Sequence, residues 1–176
     1  MKEKNSLVAT CNSHVEAEQA VKELQKSGFN MKALSIIGKD YHTEEHVTGY
    51  YTAGDSMKHV GKFGAFWGGI FGLIAGSAFF FIPGFGPLMI AGSLVSTFVG
   101  GIEGAIIGGG IGILFGALAS LDIPKDSVLK YESAIKADKY LVIAQGSPKE
   151  IDQAQKVLSG KKGIQVDVHE PAALAV

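Results

Sequence analysis

Ile82-Pro83-Gly84-Phe85-Gly86-Pro87 stands between two apolar, glycine-rich runs, and its reading decides the fold. Two prolines and two glycines within six uncharged residues stop any helix that reaches them. From Phe63 to Leu121 the single ionisable side chain is Glu103. Small residues recur there at every fourth position. They stand first at Gly64, Gly68, Gly72 and Gly76, then at Gly92, Ser96, Gly100, Gly104, Gly108, Gly112, Gly116 and Ser120. Such rows let helix backbones touch, and in lipid that close approach takes the place of hydrophobic association. The pattern predicts an apolar, glycine-zipper α-helical hairpin over 60–121 with its tip at 82–87.

A first helix over 60–82 would be about 34 Å long, close to the roughly 30 Å hydrocarbon core of a bilayer. A return helix over 88–121 would measure about 51 Å, so it projects from the bilayer or breaks at Gly108-Gly109-Gly110. Lys58 and Lys62 before the hairpin, and Lys125 and Lys130 after it, sit where cytoplasmic positive charge belongs, with Phe79, Phe80, Phe81 and Phe85 at the far interface. The expectation is a transmembrane hairpin in contact with lipid, both chain termini cytoplasmic. Each four-residue step turns about 400°, so the small-residue row winds round the helix and invites neighbours on several sides. That implies a homo-oligomer. Glu103 is then an intramembrane polar residue, either neutral or snorkelling at a helix interface or lining an oligomeric pore. A lipid-free cage or filament is the alternative setting for the same helices.

The flanks are ordinary polar–apolar mixtures, and comparing the chain with itself at an offset of 134 pairs Leu7, Val8, Ser13, Glu16 and Leu24 with Leu141, Val142, Ser147, Glu150 and Leu158. Each copy reads strand, capped helix, strand. Ser13-x-x-Glu16 and Ser147-x-x-Glu150 have the form of capping boxes, Pro148 suits a first helical position, and Gly28 and Gly160 suit helix ends. Ala17, Ala20, Val21 and Leu24 share one helix face, as do Ile151, Ala154, Val157 and Leu158. Strands follow at Leu34–Ile37 and at Ile164, Val166 and Val168. Two such βαβ units predict an α+β, ferredoxin-like sheet with its helices on one face. The organisation is a first half over 1–59, the hairpin over 60–121, and a connecting helix (about 124–137) plus second half over 122–176.

Composition removes several functions. All sixteen basic residues are Lys, balanced by seventeen acids, so no concentrated basic face for nucleic acid is expected. The lone Cys11 excludes an internal disulfide; it lies near a helix start, where a thiol pKa can fall, but suits a small apolar filler better. His42-Thr43-Glu44-Glu45-His46 matches the inverted zincin pattern, with His42 and His46 as ligands and Glu45 as base of a zinc hydrolase. No third ligand follows on a helix, so a polar turn beside Tyr41, Tyr50 and Tyr51 is the simpler reading and no catalytic residue, metal or cofactor is assigned. Glycine-rich spacings sit inside an apolar run with no Gly-Lys-Ser/Thr end, which excludes a phosphate loop. His14 and His169 stand as lone surface residues without a role.

Val8-Ala9-Thr10, Leu34-Ser35-Ile36-Ile37-Gly38-Lys39-Asp40-Tyr41, Phe63-Gly64-Ala65-Phe66-Trp67-Gly68-Gly69, Ile123-Pro124-Lys125-Asp126-Ser127-Val128 and Lys139-Tyr140-Leu141 resemble the bacterial heat-induced general stress protein family of the YflT type. The resemblance implies stress association and a glycine-rich insert, and carries over no catalytic residues. Together these observations lead to the expectation of a non-enzymatic stress protein of the bacterial cytoplasmic membrane. It would self-assemble through its glycine rows, while the ferredoxin-like domain organises subunits or recruits a protein partner not named by the sequence.

Overall fold

A computed structural model of the chain describes residues 4–39, 77–82, 86–96 and 116–171. Six strands form one sheet: β1 (Asn5–Cys11), β2 (Leu34–Lys39), β3 (Ser77–Ile82), β4 (Gly86–Gly92), β5 (Tyr140–Gly146) and β6 (Ile164–His169). Their order is β3-β4-β2-β5-β1-β6, and every neighbouring pair is antiparallel. Among the described residues three helices of ten residues or more accompany it: α1 (His14–Lys26), α2 (Lys125–Lys136) and α3 (Pro148–Leu158).

The local signals act as their chemistry requires. Ser13 Oγ accepts from the Glu16 N–H at the start of α1, while the Glu16 carboxylate reaches one residue further back, to the Asn12 N–H at 2.7 Å. At α3 the Glu150 carboxylate accepts from both the N–H and the hydroxyl of Ser147. Helix α1 ends with Gly28 at φ +80° while the N–H of Phe29 bonds the Leu24 carbonyl and that of Gly28 the Gln25 carbonyl. Glycine enters that left-handed conformation without a Cβ penalty and closes the open carbonyls.

Helices α1 and α3 bury Ala17, Ala20, Val21, Leu24, Ile151, Ala154 and Leu158 against Leu7, Ala9, Leu34, Ile36, Val142 and Ala144 of the sheet. The opposite face is covered as well, which departs from the one-sided helix layer expected. Val128, Tyr131 and Ile135 of α2, with Leu94, Leu118, Leu121 and Ile123, pack on Val8, Ile37, Leu88, Ile90, Leu141 and Ile143.

The internal duplication holds with one adjustment. Leu7 and Leu141, matched by the offset of 134, point to opposite faces, whereas Leu7 and Val142 share one. The strands therefore correspond at an offset of 135 and the helices at 134, because Asn12 is an extra residue between β1 and its cap. With that shift the β1–β5 register is symmetric about the Val8–Ile143 pair, Leu7 facing Ala144 and Ala9 facing Val142.

The apolar middle is where the structure overturns the sequence. Residues 77–82 and 86–92, expected as the end of one membrane helix and the start of another, are β3 and β4, paired from Ser77↔Ala91 to Ile82↔Gly86. Strand β4 continues onto β2 through Ile37↔Ile90 and Ile36↔Ala91. The proline–glycine break is real, but it separates two strands. Leu88 and Ile90 face the α2 side while Met89 and Ala91 face the α1 side, so β4 is apolar at successive positions because it is buried on both faces. Such a strand reads like a slice of buried helix.

Among the described residues no helix is long and apolar enough to cross a membrane. The transmembrane glycine-zipper function and the cytoplasmic-membrane location built on it therefore do not hold, and the pore that needed spanning helices goes with them.

Two polar groups sit in the α2-side layer without a protein partner among the described residues, Thr10 Oγ1 and Glu132 Oε1. Burial holds the Glu132 carboxyl above its ordinary 4.5, against the pull of Lys136 one turn on. A raised carboxyl keeps its proton in the folded state, so its contribution is present at low pH and is lost as pH rises through the folded value. Glu132→Gln should therefore raise stability near neutral pH by about 1 kcal/mol and gain less near pH 4. Urea unfolding at the two pH values checks this; equal gains at both would contradict the assignment.

Candidate functional site

The sheet's outer strand β6 leaves its side chains half-exposed, unlike the fully buried β1 beside it. Ile164, Val166 and Val168 lean on the α1 and α3 core, and Gln165, Asp167 and His169 alternate onto the α2 side. Helix α2 supplies the other half of this site. It starts after Pro124 with Asp126 in its first turn and carries Lys136 in its last, both signs favoured by the helix dipole. Its spacing places Tyr131 over the sheet, fully buried, with its hydroxyl reaching β6.

Asp167 Oδ2 accepts from Lys130 Nζ at 2.6 Å and from Tyr131 Oη at 3.2 Å. The same Oη lies 2.6 Å from His169 Nε2, with the two rings edge-on at 5.9 Å. One phenolic proton cannot serve both neighbours. When it points to Asp167, the Nε2–H of His169 donates to Oη and every contact is satisfied.

Burial, reinforced by Asp167, holds the Tyr131 hydroxyl well above the ordinary tyrosine range, which makes it a fixed donor rather than a base. Burial also pushes His169 below its ordinary 6.5; Asp167 opposes that shift and Lys130 adds to it. The unfolded chain then binds the extra proton first, so this contribution is complete above about pH 6.5 and is lost as pH falls through the lower folded value.

The cluster is a clamp that ties the edge strand to α2. Tyr131→Phe should cost about 1 to 2 kcal/mol by leaving Asp167 and His169 short of a partner. His169→Gln should flatten the loss of stability between about pH 7 and about pH 5. Thermal unfolding of both variants across that range is the check.

The residues singled out from sequence fall elsewhere. Gly92 ends β4 at φ +98°, against the backbone of β2. Gly116 lies in a helical stretch described over 116–119, where an added Cβ would meet nothing within 4 Å. Gly64, Gly68, Gly72, Gly76, Gly100, Gly104, Gly108 and Gly112 lie outside the described residues, as do Glu103 and the His42, Glu45, His46 motif. Among the described residues no three His, Cys, Asp or Glu side chains gather as metal ligands.

Cys11 is buried, and its thiol is pushed up to about 12 by burial, with Glu16 adding to the effect, so it is an inert filler. His14 lies edge-on to Tyr140 at 6.5 Å. A cleft of about 570 Å³ at the start of α3 is lined by Lys4, Asn30, Gln145, Ser147 and Lys149, with Glu150 already capping the helix end.

Sequence reasoning missed Lys130, Tyr131 and Asp167 and left His169 alone. The available signal was the alternation of β6, which sets Gln165, Asp167 and His169 on one face. Nothing local announces that a tyrosine some 36 residues earlier meets them.

No curated protein and no solved structure matches the chain. A family model does match, described as the heat induced stress protein YflT domain, and its segment holds β1, α1 and β2 and ends within β3. Over residues 6–79 the chain is thus similar to the heat induced stress protein YflT domain, the family its sequence resembles.

Proposed function

We propose that this chain is a non-catalytic heat-stress protein that works by associating with itself through a ferredoxin-like sheet. Strands β2-β5-β1-β6 with α1 and α3 on one face support the ferredoxin-like assignment, the β3–β4 hairpin being an extension beside β2. The observation that carries the functional reading is the half-exposed edge strand β6 on a sheet whose two faces are both filled. With both faces occupied, an edge is where such a sheet meets another chain.

The titratable groups nearest that edge are engaged in holding it. Sedimentation velocity of the full chain over a concentration series, before and after a heat step, tests the proposal. A mass above one chain that rises with concentration is expected. A monomer under all conditions would overturn it.

A further inference from the structure

We infer that β6 pairs antiparallel with β6 of a second copy, about a two-fold axis midway between the two copies of Val166. This rests on the self-association reading and names its surface. Strand β6 pairs with β1 continuously from Ser6↔His169 to Cys11↔Ile164, with no bulge to turn the edge away. Its six residues include no lysine and no proline, the usual guards against edge pairing. The one carboxylate on it, Asp167, is already neutralised by Lys130 at 2.6 Å. What remains is an uncharged run of backbone donors and acceptors flanked by half-buried apolar side chains.

Register follows from symmetry. Side chains directly opposite in an antiparallel pair share a face, so a two-fold axis normal to the sheet must pass midway between a residue and its own copy. Centred on Val166, the pairing sets Ile164 against Val168 and Gln165 against Asp167, like with like on each face. Centred on Asp167, it would set two carboxylates opposite each other. Centred on Gln165, it would leave Asp167, Val168 and His169 opposite residues outside the strand, whereas the Val166 register leaves only His169 so. The Val166 register is the self-complementary one, which favours a second copy over an unrelated strand.

The test uses cysteine substitutions in the full chain, where Cys11 is buried and does not compete. In the proposed register the two copies of residue 166 face each other within disulfide reach, whereas the two copies of residue 165 are offset by two positions and out of reach. Val166→Cys should form a covalent dimer under mild oxidation at least about tenfold faster than Gln165→Cys, with circular dichroism confirming that both are folded. Equal rates, or no crosslink at Val166→Cys in a chain that still self-associates, would overturn this surface and leave the self-association reading standing. A monomeric wild-type chain would overturn both.

Discussion

Gly92→Ala is expected to cost about 3 kcal/mol or more, enough to unfold a marginal domain. Two independent penalties meet at this residue. Its φ of +98° is a conformation that side-chain-bearing residues avoid. An added Cβ would also overlap the Leu34 carbonyl oxygen and come to 2.8 Å from Ser35 Cα. These are backbone atoms, so relief requires β4 to move off β2. That movement would break the Ser35↔Gly92 pairing. It would also break the hydroxyl–hydroxyl bond between Ser35 and Ser93 at 3.0 Å and the bond that the Leu94 N–H donates to Ser35 Oγ at 3.2 Å. Gly86→Ala is the control: its φ is +83° but nothing lies within 4 Å of the added atom, so only the conformational cost of about 1 kcal/mol remains. Urea unfolding of both variants measures the difference, and equal losses would show that β4 does not press on β2 here.

Gly38→Ala should cost about 2 to 3 kcal/mol, and this loss should depend on Tyr140. The β2–β5 ladder that pairs Ile37 with Leu141 brings the Tyr140 ring across Gly38, where an added Cβ would overlap ring carbons. The ring cannot swing aside freely. It is buried among the α1-side core, and its hydroxyl donates to the Lys39 carbonyl at 3.3 Å. Tyr140→Ala alone leaves a cavity and should cost about 3 kcal/mol. Adding Gly38→Ala to that background should be neutral or regain up to about 1 kcal/mol, since alanine lowers the entropy of the unfolded chain. The double-mutant cycle should therefore show a coupling of at least about 2 kcal/mol. Additive losses would mean the ring does not lie over the glycine.

Much of the α+β framework was legible because its signals are local. Ser13 and Ser147 announce helix starts, Gly28 announces an end, and Ile164, Val166 and Val168 alternate as a strand with one face in the core. Residues 77–92 were misread because hydropathy records that Leu88, Met89, Ile90 and Ala91 avoid water without recording what hides them. A strand enclosed by two helical layers and a helix enclosed by lipid give the same run. Gly92 compounded the error by falling on a four-residue row while serving a close approach between strands. The clamp at Tyr131 was invisible for a different reason: its partners come from separate elements, and only the register of β6 along β1 brings them together.

The central position of β1 has a consequence for how the molecule is made. Both of its ladder neighbours, β5 and β6, lie more than a hundred residues later in the sequence. At ribosomal speeds of about 5 to 20 residues per second, the first strand emerges on the order of ten seconds before either neighbour exists. During that interval β1 has neither of its ladder partners, so its backbone donors and acceptors stay open until residues 140–169 have been made.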